Sequence, residues 1–194
     1  HPFPAGLEDA ITALNYVRNH GPSGAGSSAA VGLSGDSAGG NLAAAVALQC
    51  TAVGMTGPDR VALFSPFLSL SLGPPAFQSP VRDPIVAQEG IDVVASLYAG
   101  AVKAPNPLIE PLSSPDPILD LFPPTLIQAS AAECLRDQAF AFANRLWAVG
   151  AQARLSLWSD MPHVWHLFLE TLPDARAALT EAAAFLSDYN QGLG

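Results

Sequence analysis

Four short apolar runs, each separated from the next by enough chain to form a helix, constrain the fold of these 194 residues more than any other feature. They are Ala29-Ala30-Val31-Gly32-Leu33, Val61 to Leu68, Thr125 to Ala129 and Ala153 to Trp158. Each is too short for a buried helix, so they are expected as strands. In the last run Leu155 and Leu157 fall on one face, Arg154 and Ser156 on the other. Helical spacing lies around the runs. From Ala5 to His20, Leu7, Ile11, Leu14 and Val17 recur on one side, and Gly21-Pro22 ends the pattern. A Gly/Ser loop from Pro22 to Ser28 follows. Leu42 to Cys50 is apolar nearly all round, which predicts a helix buried on both sides. Asp137 to Val149 closes on Gly150. Pro173 to Tyr189 begins with proline in the first turn and carries Leu179, Ala182 and Leu186 as a stripe. Strands joined through helices pair in parallel, and a parallel sheet needs cover on both faces, so the fold class is α/β.

One domain over residues 1–194 is the expected organisation. The stretch from Gly73 to Pro124 departs from the strand–helix rhythm. It is rich in proline and is interrupted by one helix candidate, Gln88 to Tyr98. Such an excursion inside a compact domain is expected to act as a cap over a site.

In an open parallel sheet, reactive groups collect beyond the carboxyl ends of the strands. The first strand runs into Gly35-Asp36-Ser37-Ala38-Gly39-Gly40-Asn41-Leu42 and then a helix. A serine on a sharp strand-to-helix turn presents its hydroxyl outward, and small neighbours at Gly35 and Gly39 are expected to let that turn close. The Ala38 N–H, at the helix start, would face a developing oxyanion. Serine needs a base to act as a nucleophile, and that base is normally a histidine held by a carboxylate. His163 and His166 follow the last strand; His163 comes first and sits behind Pro162, which favours it. Glu133 and Asp137 follow the third strand; Asp137 beside Arg136 suits a helix cap, which favours Glu133 as the acid. Serine, acid, histidine is the chain order of an α/β-hydrolase. A zinc site on His163 and His166 is not expected, because the pair lacks i, i+4 spacing and a third ligand nearby.

The chain resembles the hormone-sensitive-lipase-like family of α/β-hydrolases, which includes many bacterial esterases. The resemblance is carried by the Gly-Asp-Ser-Ala-Gly-Gly-Asn-Leu octapeptide at 35–42, Met161-Pro162-His163, His1-Pro2-Phe3-Pro4-Ala5 through Glu8-Asp9, and Leu63-Phe64-Ser65-Pro66-Phe67-Leu68. It implies a lipase-like carboxylesterase acting on short acyl esters, with Ser37, Glu133 and His163 as the triad and no metal or organic cofactor. A glutamate, Glu133, stands where the family commonly has an aspartate. The family's His-Gly-Gly-Gly segment, which supplies most of the oxyanion hole, does not occur in these residues. Hence the expectation that the N-terminal strands of the sheet are missing, that the Val31 strand is an open edge, and that this is the C-terminal portion of a longer enzyme or is completed by another, N-terminal polypeptide; the resemblance separately suggests a homodimer. Two other readings stand beside the esterase. One is a silent or incomplete relative that binds a small ligand; the other is an amidase or deacetylase with the same triad.

Charge narrows the partners. The net charge of −9 and the single lysine, Lys103, leave no positive stripe for phosphates, which excludes nucleic acid. No stretch sustains the roughly 20 apolar residues of a membrane span. Cys50 and Cys134 alone cannot build a disulfide framework. The start, His1-Pro2-Phe3-Pro4, lacks the layout of a signal peptide and reads as the middle of a longer chain, and a cytoplasmic location is the expectation.

Overall fold

The computed structural model describes residues 1–22, 24–70, 83, 85–86, 88–102 and 105–188, the side chains of 25, 88 and 89 excepted. Helix α1 (Ala5–Asn19) leads to a minimal antiparallel hairpin, β1 (His20–Gly21) and β2 (Gly24–Ala25), where a plain loop is expected from sequence. Four parallel strands follow, β3 (Gly32–Asp36), β4 (Arg60–Phe64), β5 (Thr125–Ser130) and β6 (Ala153–Trp158), side by side in that order. Helix α2 (Ala38–Val53) connects β3 to β4, and α5 (Arg136–Ala148) connects β5 to β6. Between β4 and β5 come α3 (Gln88–Ala99), a 3-10 turn at Pro111–Ser113 and the short α4 (Asp116–Leu119). Part of the proline-rich stretch, residues 73–82, 84, 87 and 103–104, lies outside the described residues. Helix α6 (Pro173–Ser187) closes the fold; the last expected helical residue, Tyr189, also lies outside them.

Strand alternation sends side chains to two layers. Val61, Leu63, Ile127 and Ala129 meet Ala43, Ala44, Ala47 and Leu48 of α2 and Phe142, Ala143 and Leu146 of α5 in the main core. Burying that many apolar side chains is the main favourable term in the fold. Helix α2 is buried on its other side too, where Ala45, Val46 and Cys50 receive Leu7 and Leu14 of α1. On the opposite face of the sheet α6 lays Ala175, Ala178 and Ala182 inward; Leu179 and Leu186 flank this alanine seam half-buried instead of forming it. The small side chains let the helix approach closely enough for the Gln128 Nε2–H to donate to the Ala178 carbonyl at 3.0 Å.

Three expectations need correction. The first strand begins at Gly32, not Ala29. The Val31 N–H donates to the Asp59 side chain at 2.7 Å, and its carbonyl accepts from the Asp59 N–H at 2.8 Å. Those bonds hold Val31 before the ladder, which starts at Gly32 opposite Arg60. The strand is also not buried on both faces: Leu33 reaches the core, while Gly32, Ser34 and Asp36 are exposed. Leu157 is 49% exposed, because β6 is the outer strand at the far side.

Candidate active site

Three strand ends converge above the sheet. The first is the turn after β3. Ser37 has φ 52° and ψ −117°, a conformation that an L-residue adopts only under constraint. The constraint is a pair of backbone bonds: the Ser37 N–H donates to the Phe64 carbonyl at 2.9 Å, and its carbonyl accepts from the Phe67 N–H at 3.0 Å. A Cβ at Gly35 would lie 2.2 Å from the Gly39 carbonyl oxygen, so only glycine fits there. Gly39 itself is not needed for closure, since a Cβ there would meet nothing nearer than 3.9 Å. The second obligatory glycine is Gly40, whose Cβ would lie 2.9 Å from Pro66. Asn41 is buried and ties the turn to its surroundings through Nδ2–H bonds to the Phe67 and Ile109 carbonyls, at 2.7 and 2.8 Å.

The second end is the loop after β5. Glu133 is fully buried, and its Oε1 accepts the Ser130 N–H at 2.8 Å. Oε2 accepts the Nδ1–H of His163 at 2.7 Å. Since a carboxylate only accepts, this contact places the ring proton on Nδ1 and leaves Nε2 free to accept. Nε2 lies 2.9 Å from the Ser37 Oγ, which donates to it. Ser37, His163 and Glu133 therefore form one continuous hydrogen-bonded chain. Asp137 lies in the first turn of α5 and pairs with Arg136 at 2.8 Å, but it makes no capping bond, contrary to the helix-cap role its position suggested. Ala38 is the first residue of α2 and is exposed, so its N–H is one of the unpaired donors of a helix start.

The third end, after β6, holds the imidazole by means that sequence reasoning missed. The Ser130 hydroxyl donates to the Met161 carbonyl at 2.6 Å, and the Val164 N–H donates to the Ser65 Oγ at 3.1 Å. These two bonds clamp the backbone on either side of Pro162-His163. Val164 has φ 49°, a costly setting for a β-branched residue. Nothing in the local sequence marks Ser65 or Ser130, because each acts on a segment far away in the chain.

His166 is buried and points away from the serine. It donates Nε2–H to the Gln128 Oε1 at 3.0 Å, while Gln128 and Ser156 both donate to Glu181 at 2.8 Å. Burial, and then the charge of His163, push His166 down to about 4 from an ordinary 6.5. The unfolded chain therefore takes up this proton near pH 6.5 and the folded chain only near pH 4. The stabilisation is complete above the first value and is lost as pH falls toward the second, by ~3 kcal/mol in all. Urea unfolding at a series of pH values should show this slope, and His166→Gln should flatten it; an unchanged slope in the variant would assign the loss to other groups.

Asp83, Glu133 and His163 offer oxygen and nitrogen atoms within 4.8 Å of one another, the one such group of potential metal ligands among the described residues. Both ring nitrogens of His163 are engaged in hydrogen bonds, with Glu133 and with Ser37. An apolar cavity of about 280 Å³ adjoins the serine turn, lined by Ala38, Gly39, Leu42, Phe67, Val94 and Tyr98 among others. Trp165, beside the site in sequence, is instead a fully buried core side chain against Ala175 and Ala178. A larger groove of about 600 Å³ lies at the opposite ends of the strands, between Arg60, Thr125, Arg154 and Phe185, and no residue of the hydrogen-bonded chain lines it. Among the described residues no helix is long and apolar enough to cross a membrane.

Comparison with known proteins finds relatives of the same fold. The family Abhydrolase_3, described as alpha/beta hydrolase fold, matches residues 1–167. An acetyl-hydrolase of Streptomyces hygroscopicus is 32% identical over 187 residues, covering 95% of this chain and 60% of that protein. Carboxylesterase NlhH of Mycobacterium tuberculosis is 30% identical over 190 residues, covering 96% and 59% respectively. The crystal structure of an esterase from the bacterial hormone-sensitive lipase family superposes with a TM-score of 0.83 at 35% identity, over 95% of this chain and 60% of that one. The chain thus spans about 60% of the length of these relatives. With a parallel sheet, a serine on the strand-to-helix turn and a family match over most of its length, this chain belongs to the alpha/beta hydrolase family, in the hormone-sensitive-lipase-like group it resembles.

Proposed function

We propose that the chain carries the nucleophile, base and acid of a serine carboxylester hydrolase. Ser37 attacks the ester carbonyl while His163 Nε2 takes its proton, then returns it to the leaving alcohol. Glu133 keeps the proton on Nδ1 and stabilises the imidazolium. The Ala38 N–H donates to the oxyanion. Water, activated by His163, then clears the acyl-enzyme. The observation that carries this reading is the unbroken Glu133–His163–Ser37 hydrogen bonding, assembled from three distant strand ends in a buried setting. The names of the relatives, acetyl-hydrolase and carboxylesterase, support small esters as substrates. The small apolar cavity beside Ala38 and Gly39 suits a short acyl group.

Within the excursion between Gly73 and Pro124, helix α3 serves as a cover of the site. In support, α3 packs Ile91 and Ala95 onto Phe67 and Leu135 and brings Val94 and Tyr98 to the cavity. Among the described residues the outer side of β3 carries no partner strand, which supports a further strand, from this or another polypeptide, pairing there. The absence of a His-Gly-Gly-Gly run from the 194 residues favours one alternative, in which this portion binds an ester-like ligand but turns it over slowly without donors from elsewhere.

A serine-directed phosphonate tests the reading directly. The expected result is one adduct, located by mass spectrometry on Ser37 and absent after His163→Ala. No adduct, or an adduct on another residue, would end it.

A further inference from the structure

Asp83 lies just ahead of α3, on a segment that neither the strand pattern nor the nucleophile motif singles out. It is 7% exposed. Its Oδ1 accepts the N–H groups of Ile85 and Val86, at 2.9 and 3.2 Å, which anchors the carboxylate. Its Oδ2 is buried and has no hydrogen-bond partner among the described residues. A buried carboxylate oxygen left unpaired is costly, and the local turn needs only Oδ1, a role that asparagine would fill without the charge. The charge has another use. An oxygen of Asp83, an oxygen of Glu133 and a nitrogen of His163 all lie within 4.8 Å of one another.

In the resting site the His163 Nδ1–H is donated to Glu133, and the Asp83 carboxylate stands beside that pair. Once Ser37 attacks, the hydroxyl proton moves to Nε2 and the ring becomes a cation facing two fixed carboxylates. A charge held at this separation, out of water, acts with little screening, and it favours the transition state over the ground state. We propose that Asp83 is a positioning residue of the hydrolytic site, a second anchored carboxylate that orders the Glu133–His163 pair and stabilises the imidazolium formed as Ser37 attacks. The thiol of Cys134, next to Glu133, reports the same overlapping fields: burial chiefly, then the charges of Asp83 and Glu133, push it up to about 12.

This rests on the hydrolase reading, and the test separates the two. In the chain as given, Asp83→Asn keeps the Oδ1 acceptor and removes the charge. The expected result is a fall of about tenfold or more in kcat for p-nitrophenyl acetate and in the rate of phosphonate labelling at Ser37. KM should stay within about twofold, Tm should hold, and the low-field proton resonance of the His163 Nδ1–H should shift. Wild-type labelling rate, kcat and resonance in the variant would overturn the inference, as would losses only in proportion to a lowered Tm. If Asp83→Asn does not fold, Asp83→Ser, whose hydroxyl can accept at the same turn, carries the same expectations. An unlabelled Ser37 in the parent chain would instead refute the hydrolase reading itself.

Discussion

Replacing Ser37 by glycine should give a chain that is more stable than its parent and hydrolyses ester roughly 10⁴-fold more slowly or worse. The loss of rate follows from removing the hydroxyl aligned with His163 Nε2, at 2.9 Å. The gain in stability follows from the backbone. A serine held at φ 52° and ψ −117° stores strain of about 1–3 kcal/mol, and glycine adopts that conformation freely. Glycine's greater freedom in the unfolded chain and the lost hydroxyl contact return part of this, leaving a net rise on the order of 1 kcal/mol. Ser37→Ala is the control: it should lose the same activity without the rise, because alanine keeps the Cβ. Paired urea titrations of the two variants decide the point, and a glycine variant no more stable than the alanine one would show that the turn is unstrained.

Gly35→Ala should be the most damaging single methyl among the described glycines. Its Cβ would fall 2.2 Å from the Gly39 oxygen, 2.4 Å from the Gly39 carbonyl carbon and 2.9 Å from the Gly40 nitrogen. All three are backbone atoms in the first turn of α2, and that helix is locked between α1 and the sheet, so no flexible group can move aside. A loss on the order of 4 kcal/mol or more is expected, a large share of the stability of an ordinary domain. The chain should express largely insoluble or melt far below the parent. Gly39→Ala, two positions beyond Ser37 and with nothing nearer than 3.9 Å, should stay within about 1 kcal/mol. A Gly35→Ala protein melting like the parent would mean that the strand and helix do not meet at this turn.

The contrast between Gly35 and Gly39 shows where sequence reading stops. Both belong to the Gly-x-Ser-x-Gly pattern, yet the tight packing is at Gly35 and at Gly40, a position outside it. The pattern marks a sharp turn; it does not say which α-carbons the two arms press together. The sequence favours Glu133 over Asp137 and His163 over His166, and the fold brings Glu133 and His163 into hydrogen-bonded line with Ser37. Asp137 has Arg136 beside it, and His166 falls later in the loop. Asp83, Ser65 and Ser130 were not legible. Each acts across the fold on residues far away in sequence, and a single sequence carries no trace of such pairing.

What the sequence alone determined is what depends on local order: short apolar runs alternating with helical stripes, the serine on its turn, and the succession of serine, acid and imidazole at successive strand ends. These follow from periodicity and backbone preference, which neighbouring residues settle among themselves. Only the tertiary structure decided the shifted start of β3, the open face of Gly32, Ser34 and Asp36, the burial of Glu133 and the placement of Asp83 beside it. Those features are set by which segments exclude water from one another and by parallel register, and both arise only when distant stretches of chain are brought together.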